Sequence, residues 1–175
     1  IEDVSTSIIG LVCTATADTG AASTALDAAF PLGEPVLITD AIAAIARAGN
    51  GGTLKPTLQA ITEHTRAIIV AVRVAIPAAD ADEEDPTLDD NVKAGFDALV
   101  TAESLLGVRP RILGAPALDT QAVTTKMVSV AKKLRAMCYA KAVGSDIAAV
   151  KLYRGGFAAR ELMLIWPNTN SSFAG

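Results

Sequence analysis

Three aspartates are the residues best placed to do chemistry. Asp40, Asp119 and Asp146 each follow a short apolar run of strand character and open a helical one. In a parallel sheet such positions line the carboxyl edge, where open α/β proteins bind their ligands. Carboxylates gathered there could hold a magnesium ion against a phosphate, as a phosphotransfer or ligand-binding domain requires. Each aspartate also stands where a helix wants a side-chain oxygen for its free amides, and N-capping accounts for all three without cooperation between them. Capping is the simpler reading. The same edge carries Pro77, Pro116 and Pro167 and no glycine turn shaped for phosphate.

The other reactive residues stand alone. His64, the only histidine, sits beside Glu63 on a helix expected over 56–65. With no Gly-x-Ser-x-Gly elbow and no second histidine it lacks both a nucleophile and a metal partner, which leaves it an exposed helical side chain. Gly49, Gly51 and Gly52 precede a helix, yet they follow another helix rather than a strand and lack a Gly-Lys-Ser/Thr. They read as a helix stop joined to a tight turn, and Gly155-Gly156 as a second helix stop. Cys13 and Cys138 lie in apolar runs and read as buried thiols of a reducing compartment; two sulfurs without histidines make no zinc site. From 78 to 90 the chain carries Asp80, Asp82, Glu83, Glu84, Asp85, Asp89 and Asp90, a self-repelling run expected to form an exposed acidic loop. The run lacks the regular spacing of oxygen ligands around a glycine that calcium loops use. No catalytic, cofactor-binding or metal-binding residue is assigned, and no enzyme activity is expected.

The elements that would position these residues alternate. Short β-branched apolar runs at 7–15, 35–38, 67–76, 111–114, 137–142 and 161–166 read as strands, the central ones apolar on both faces. Between them lie helical patterns. Asp40 opens one carrying Ile42, Ile45 and Ala46, ended by Gly49. Thr53 caps the next, with Leu54, Leu58 and Ile61 as its stripe. Residues 91–106 place Val92, Phe96, Leu99 and Val100 on one face and stop at Gly107. Residues 121–136 step Val123, Met127, Val130, Leu134 and Met137 at threes and fours, with Lys132, Lys133 and Arg135 where the helix dipole favours cations. A last helix opens at Ser145-Asp146 and carries Ile147, Val150 and Tyr153. Strand–helix alternation implies crossover connections, hence a single α/β domain with a mostly parallel or mixed sheet flanked by helices.

Composition closes off several classes. The 175 residues carry a net charge of −4, are 51% hydrophobic and only 4% aromatic. No basic cluster offers a face for nucleic acid, and an acidic surface is repelled by anionic membranes. The longest apolar run, 67–79, holds Arg73 and Pro77 and falls short of the roughly 20 residues a spanning helix needs. Ile1-Glu2-Asp3 lacks the basic start of a signal peptide, and the absence of an initiator methionine leads us to expect a piece of something longer.

Several segments, in order, carry a family resemblance. They are Ser5-Thr6-Ser7-Ile8-Ile9-Gly10-Leu11-Val12, Pro35-Val36-Leu37-Ile38-Thr39, Gly52-Thr53-Leu54 with Leu58-Gln59-Ala60-Ile61, and Ile69-Val70-Ala71-Val72-Arg73-Val74. Ala102-Glu103-Ser104 follows, then Gly107-Val108-Arg109-Pro110-Arg111-Ile112-Leu113-Gly114-Ala115-Pro116. Ala131-Lys132-Lys133-Leu134-Arg135-Ala136 and Arg160-Glu161-Leu162-Met163-Leu164-Ile165-Trp166-Pro167 complete the series. In order and spacing this resembles the amino-terminal part of the sheath proteins of contractile phage tails and tailocins.

The resemblance implies a structural rather than catalytic role. Sheath subunits assemble as stacked hexameric rings around a tail tube, and the lattice contracts on a baseplate signal to drive the tube through a cell envelope. Residues 1–167 would be an outer, peripheral domain and 168–175 an unstructured tail, with the tube-binding domain and the strand-exchanging terminal arms absent. The implied partners are other sheath subunits, the tube and the baseplate, within a virion tail or tailocin particle assembled in the bacterial cytoplasm. The piece alone is expected to be monomeric, with no cofactor, nucleic acid or membrane.

Overall fold

The computed structural model describes residues 8–18, 20–78 and 87–166. Most of the expected acidic loop and the whole of the expected tail lie outside these residues, as do the first seven positions. The described chain runs β1 (Ile9–Thr16), α1 (Ala21–Ala29), β2 (Pro35–Ile38), α2 (Ala41–Ile45), β3 (Gly51–Gly52), α3 (Leu54–His64) and β4 (Ile69–Val74). It continues with α4 (Leu88–Val100), α5 (Ala102–Leu106), β5 (Ile112–Gly114), α6 (Gln121–Leu134), β6 (Met137–Lys141), α7 (Ile147–Gly155) and β7 (Leu162–Ile165).

The described residues form one mixed sheet of seven strands, in the order β2-β4-β1-β5-β6-β7, with β3 pairing β1 off that path. β1, β4, β5, β6 and β7 run parallel, whereas β2 is antiparallel to β4 and β3 antiparallel to β1. The chain moves from β1 leftward to β4 and then rightward through β5, β6 and β7. Right-handed crossovers therefore place α3 on one face and α4 and α6 on the other.

Two cores result. On one face Val12, Val70, Val72 and Leu113 meet Phe96 and Leu99 of α4 and Val123, Met127 and Val130 of α6. On the opposite face Leu11, Cys13, Ile69 and Ala71 meet Leu26 of α1, Ala44 of α2 and Leu54 and Leu58 of α3. β4 is buried at every position, as a strand covered on both sides must be. Its one charge, Arg73, is paired with Asp27 of α1, which keeps the guanidinium compensated inside the sheet. Gly95 lets α4 lie close on the sheet: a Cβ there would stand 2.7 Å from Val12 Cγ1 and 2.8 Å from Val74 Cγ1.

Several expectations need correction. α1 carried no recognisable apolar stripe, because Leu26 is its only fully buried residue among alanines and small polar groups. The run that Asp40 opens is shorter than expected, ending at Ile45, and it buries Ala44 while Ile42 is 70% exposed. Met137 belongs to β6, not to the α6 stripe, because Arg135 in a left-handed conformation ends that helix. The helix expected over 91–106 is two helices broken at Thr101, and it starts earlier. Thr87 and Asp90 form a capping box, so Asp89 and Asp90, read as loop acids, are the first turn of α4. The expected tight turn at Gly51-Gly52 is β3, docked on the end of β1. Gly52 has φ 86°, and a Cβ would lie 2.5 Å from the Thr14 carbonyl oxygen, so only glycine fits.

Candidate functional site

The three aspartates do not meet. β2 runs antiparallel, so its last residue, Ile38, pairs with Ile69 at the start of β4. Asp40 thus lies at the amino edge of the parallel strands, across the sheet from Asp119 and Asp146. Its Oδ1 accepts hydrogen bonds from the amides of Ile42 (3.0 Å) and Ala43 (3.1 Å), as a cap does. Asp146 likewise caps α7, accepting from Ala149 N–H at 2.8 Å. Asp119 is not a cap. Thr120 takes that role, its Oγ1 accepting from Val123 N–H at 3.3 Å and donating to Asp89 at 2.6 Å. Asp119 instead accepts a hydrogen bond from the amide of Lys141, tying the loop before α6 to the end of β6. No group of three His, Cys, Asp or Glu residues among the described residues is arranged to hold a metal ion.

Tyr153 is a polar group that sequence reading placed only on a helix face. Its hydroxyl is buried without a hydrogen-bond partner, and burial pushes its pKa up, with the Thr124 hydroxyl pulling back and the Asp119 carboxylate adding to the rise. Thr53, read as a helix cap, spends its hydroxyl elsewhere: Oγ1 accepts from Thr14 N–H at 3.1 Å and binds α3 to β1. His64 ends α3 and is exposed. The two thiols are buried and free. Burial pushes both up to about 12; hydrogen bonds to Thr53 and Thr57 pull Cys13 back, while the Glu161 carboxylate adds to the rise at Cys138.

What remains open for interaction is surface. Among the described residues, helices cover both faces of β2, β4 and β1, whereas β5, β6 and β7 pack into the core on one face only. The bare face presents Met137, Tyr139 and Lys141 of β6 beside Met163 and Ile165 of β7, in register as Tyr139–Met163 and Lys141–Ile165. On the other side of the sheet, α7 carries separate exposed apolar residues, Leu152 at 82% and Ile147 at 63%. Exposed apolar residues side by side, as on β6 and β7, are a common feature of interaction surfaces. No helix of the described residues is long and apolar enough to cross a membrane.

An α/β scaffold is the class these features define: carboxylates committed to caps and backbone ties, and an apolar half-face left uncovered among the described residues. Comparison with known proteins makes the class specific. The chain is 44% identical over 180 residues to the tail sheath protein of Escherichia phage P2, and 43% identical over 178 residues to the major tail sheath protein of Serratia phage KSP20, in each case across 96% of the chain. A prophage major tail sheath protein of Pseudomonas aeruginosa is 31% identical over 140 residues, 76% of the chain and 36% of that relative. No protein-family model matches. The chain belongs to the phage tail sheath protein family, the family its ordered motifs resemble. It spans 43% of the length of the P2 and KSP20 relatives, a little under half.

Proposed function

We propose that this chain is the outer, peripheral domain of a contractile tail sheath, drawn from the amino-terminal part of the sheath subunit. The observation that carries the reading is 44% identity to the P2 tail sheath protein across 96% of the chain. In the complete subunit, self-association builds stacked hexameric rings around a tail tube, within a virion tail or tailocin particle assembled in the host cytoplasm. A signal from the baseplate lets the lattice shorten and drive the tube through a cell envelope. The domain contributes shape and contact surface to this process, not catalysis. The strand-end carboxylates support that assignment, since capping and backbone ties already occupy them. By itself the chain, which spans 43% of the P2 and KSP20 relatives, is monomeric.

The test is replacement. In the P2 sheath protein, this chain is substituted for the region it matches, and a sheath-defective P2 is complemented with the chimera. Negative-stain microscopy should show both extended and contracted sheaths around tubes, and plaques should return. Folded chimera that leaves naked tubes would overturn the reading. Sedimentation of the chain alone should show a monomer.

A further inference from the structure

β7 is placed at the edge of the sheet but composed like an interior strand. Leu162, Met163, Leu164 and Ile165 are apolar on both faces, the pattern of strands covered on each side. Edge strands ordinarily carry a lysine, a proline or a bulge that discourages further pairing. β2, at the opposite edge, opens with Pro35 and has Leu37 packed into one core and Val36 into the other. β7 has none of these protections. Among the described residues it pairs with β6 alone. The Cys138 amide donates to Glu161 O and the Ala142 amide to Ile165 O, so the alternation turns the N–H and C=O of Leu162 and Leu164 away from β6, toward the open edge.

Both flanks of that edge are apolar as well. On the helix side an open groove of about 270 Å³ lies between β7 and α7, lined by Val150, Arg154, Phe157, Leu162, Leu164 and Trp166. On the bare side Met163 is 51% and Ile165 48% exposed beside Tyr139. An added strand would satisfy the two outward backbone positions and set alternate side chains into the groove and onto the bare face.

We infer that β7 is an interior strand of the complete sheath subunit, and that a further strand from the same polypeptide pairs with it and covers the bare face. The inference rests on membership of the sheath family, whose relatives carry more than half their length outside the matched span. A tethered segment meets this edge at an effective concentration on the order of millimolar, so it outcompetes a second free copy. The occupant is therefore the subunit's own remaining chain.

Amide hydrogen exchange tests this in two proteins: the 175-residue chain and the P2 chimera, held at concentrations where sedimentation shows single subunits. The Leu162 and Leu164 amides should exchange at least ~100-fold more slowly in the unassembled chimera than in the chain alone. Equal fast exchange in both overturns the inference, as does slow exchange in the chain alone. Protection that arises only in sedimenting assemblies also overturns it, because the occupant is then a neighbouring subunit. Met163→Asp should leave the melting temperature of the chain alone within about 2 °C and abolish the chimera's protection. If the chimera does not fold, the unmatched part of the P2 sheath protein is titrated into the chain. Binding weakened at least tenfold by Met163→Asp supports the inference, and no binding sinks it. A chimera that is protected yet builds no sheath leaves the inference standing and removes the proposed function.

Discussion

The two ends of the sheet are made from similar residues and buried very differently. Around β4 and β1, helices press on both faces, and Val70, Val72 and Cys13 are inaccessible. Around β6 and β7 only one face packs into the core beneath α6, so residues alternate between buried Cys138 and Ala140 and exposed Met137 and Tyr139. Strand composition alone does not make a finished core. The covered half folds around its own apolar surface, whereas the open half has apolar surface to spare, which is how a domain that belongs inside a larger assembly should look.

Substitutions measure the contrast. The largest effect is expected from Leu58→Ala, which empties a fully buried site between α3 and the sheet and should cost about 2–5 kcal/mol in denaturant unfolding. A loss below about 1 kcal/mol would mean that the covered half is not tightly packed. Alkaline pH should have a smaller effect shared by both halves. Each thiol titrates near 9 when unfolded and at about 12 when folded. Below pH ~9 both states keep the proton, and above it only the unfolded chain releases it, so stability is lost progressively between 9 and about 12. Urea midpoints should therefore fall between about pH 8 and pH 10, and Cys138→Ala should remove as much of the fall as Cys13→Ala. A fall removed by Cys13→Ala alone would show the helix side of the open half to be wet. The smallest effect is expected from Met163→Ser on the bare face of the isolated chain, within about 0.5 kcal/mol of no change. A loss above about 1.5 kcal/mol would show that face already covered.

Legibility followed the strength of local signals. α6 could be read almost to the residue, because Val123, Met127, Val130 and Leu134 repeat at helical spacing and are buried. α1 could not, since a run of alanine, serine and threonine has no stripe to detect. β3 could not either, because two glycines become a strand only by pairing with Ala15 and Thr16, 36 residues or so earlier in the chain. The supposed aspartate site failed on direction: the sequence marks β2 as a strand but holds no sign of which way it runs beside β4.

Sequence by itself determined the alternation of strands and helices, the apolar lining of both cores, the capping role of Asp40 and Asp146, and the family. These follow from local propensity, hydrophobic period and ordered motifs, which act over a few residues or survive as pattern. Tertiary structure alone decided that Asp40 lies across the sheet from Asp119, that Asp119 ties a strand rather than caps a helix, and that Ile42 and Met163 face outward. Those outcomes depend on pairing between distant segments and on which faces find a covering helix, and residue type carries neither.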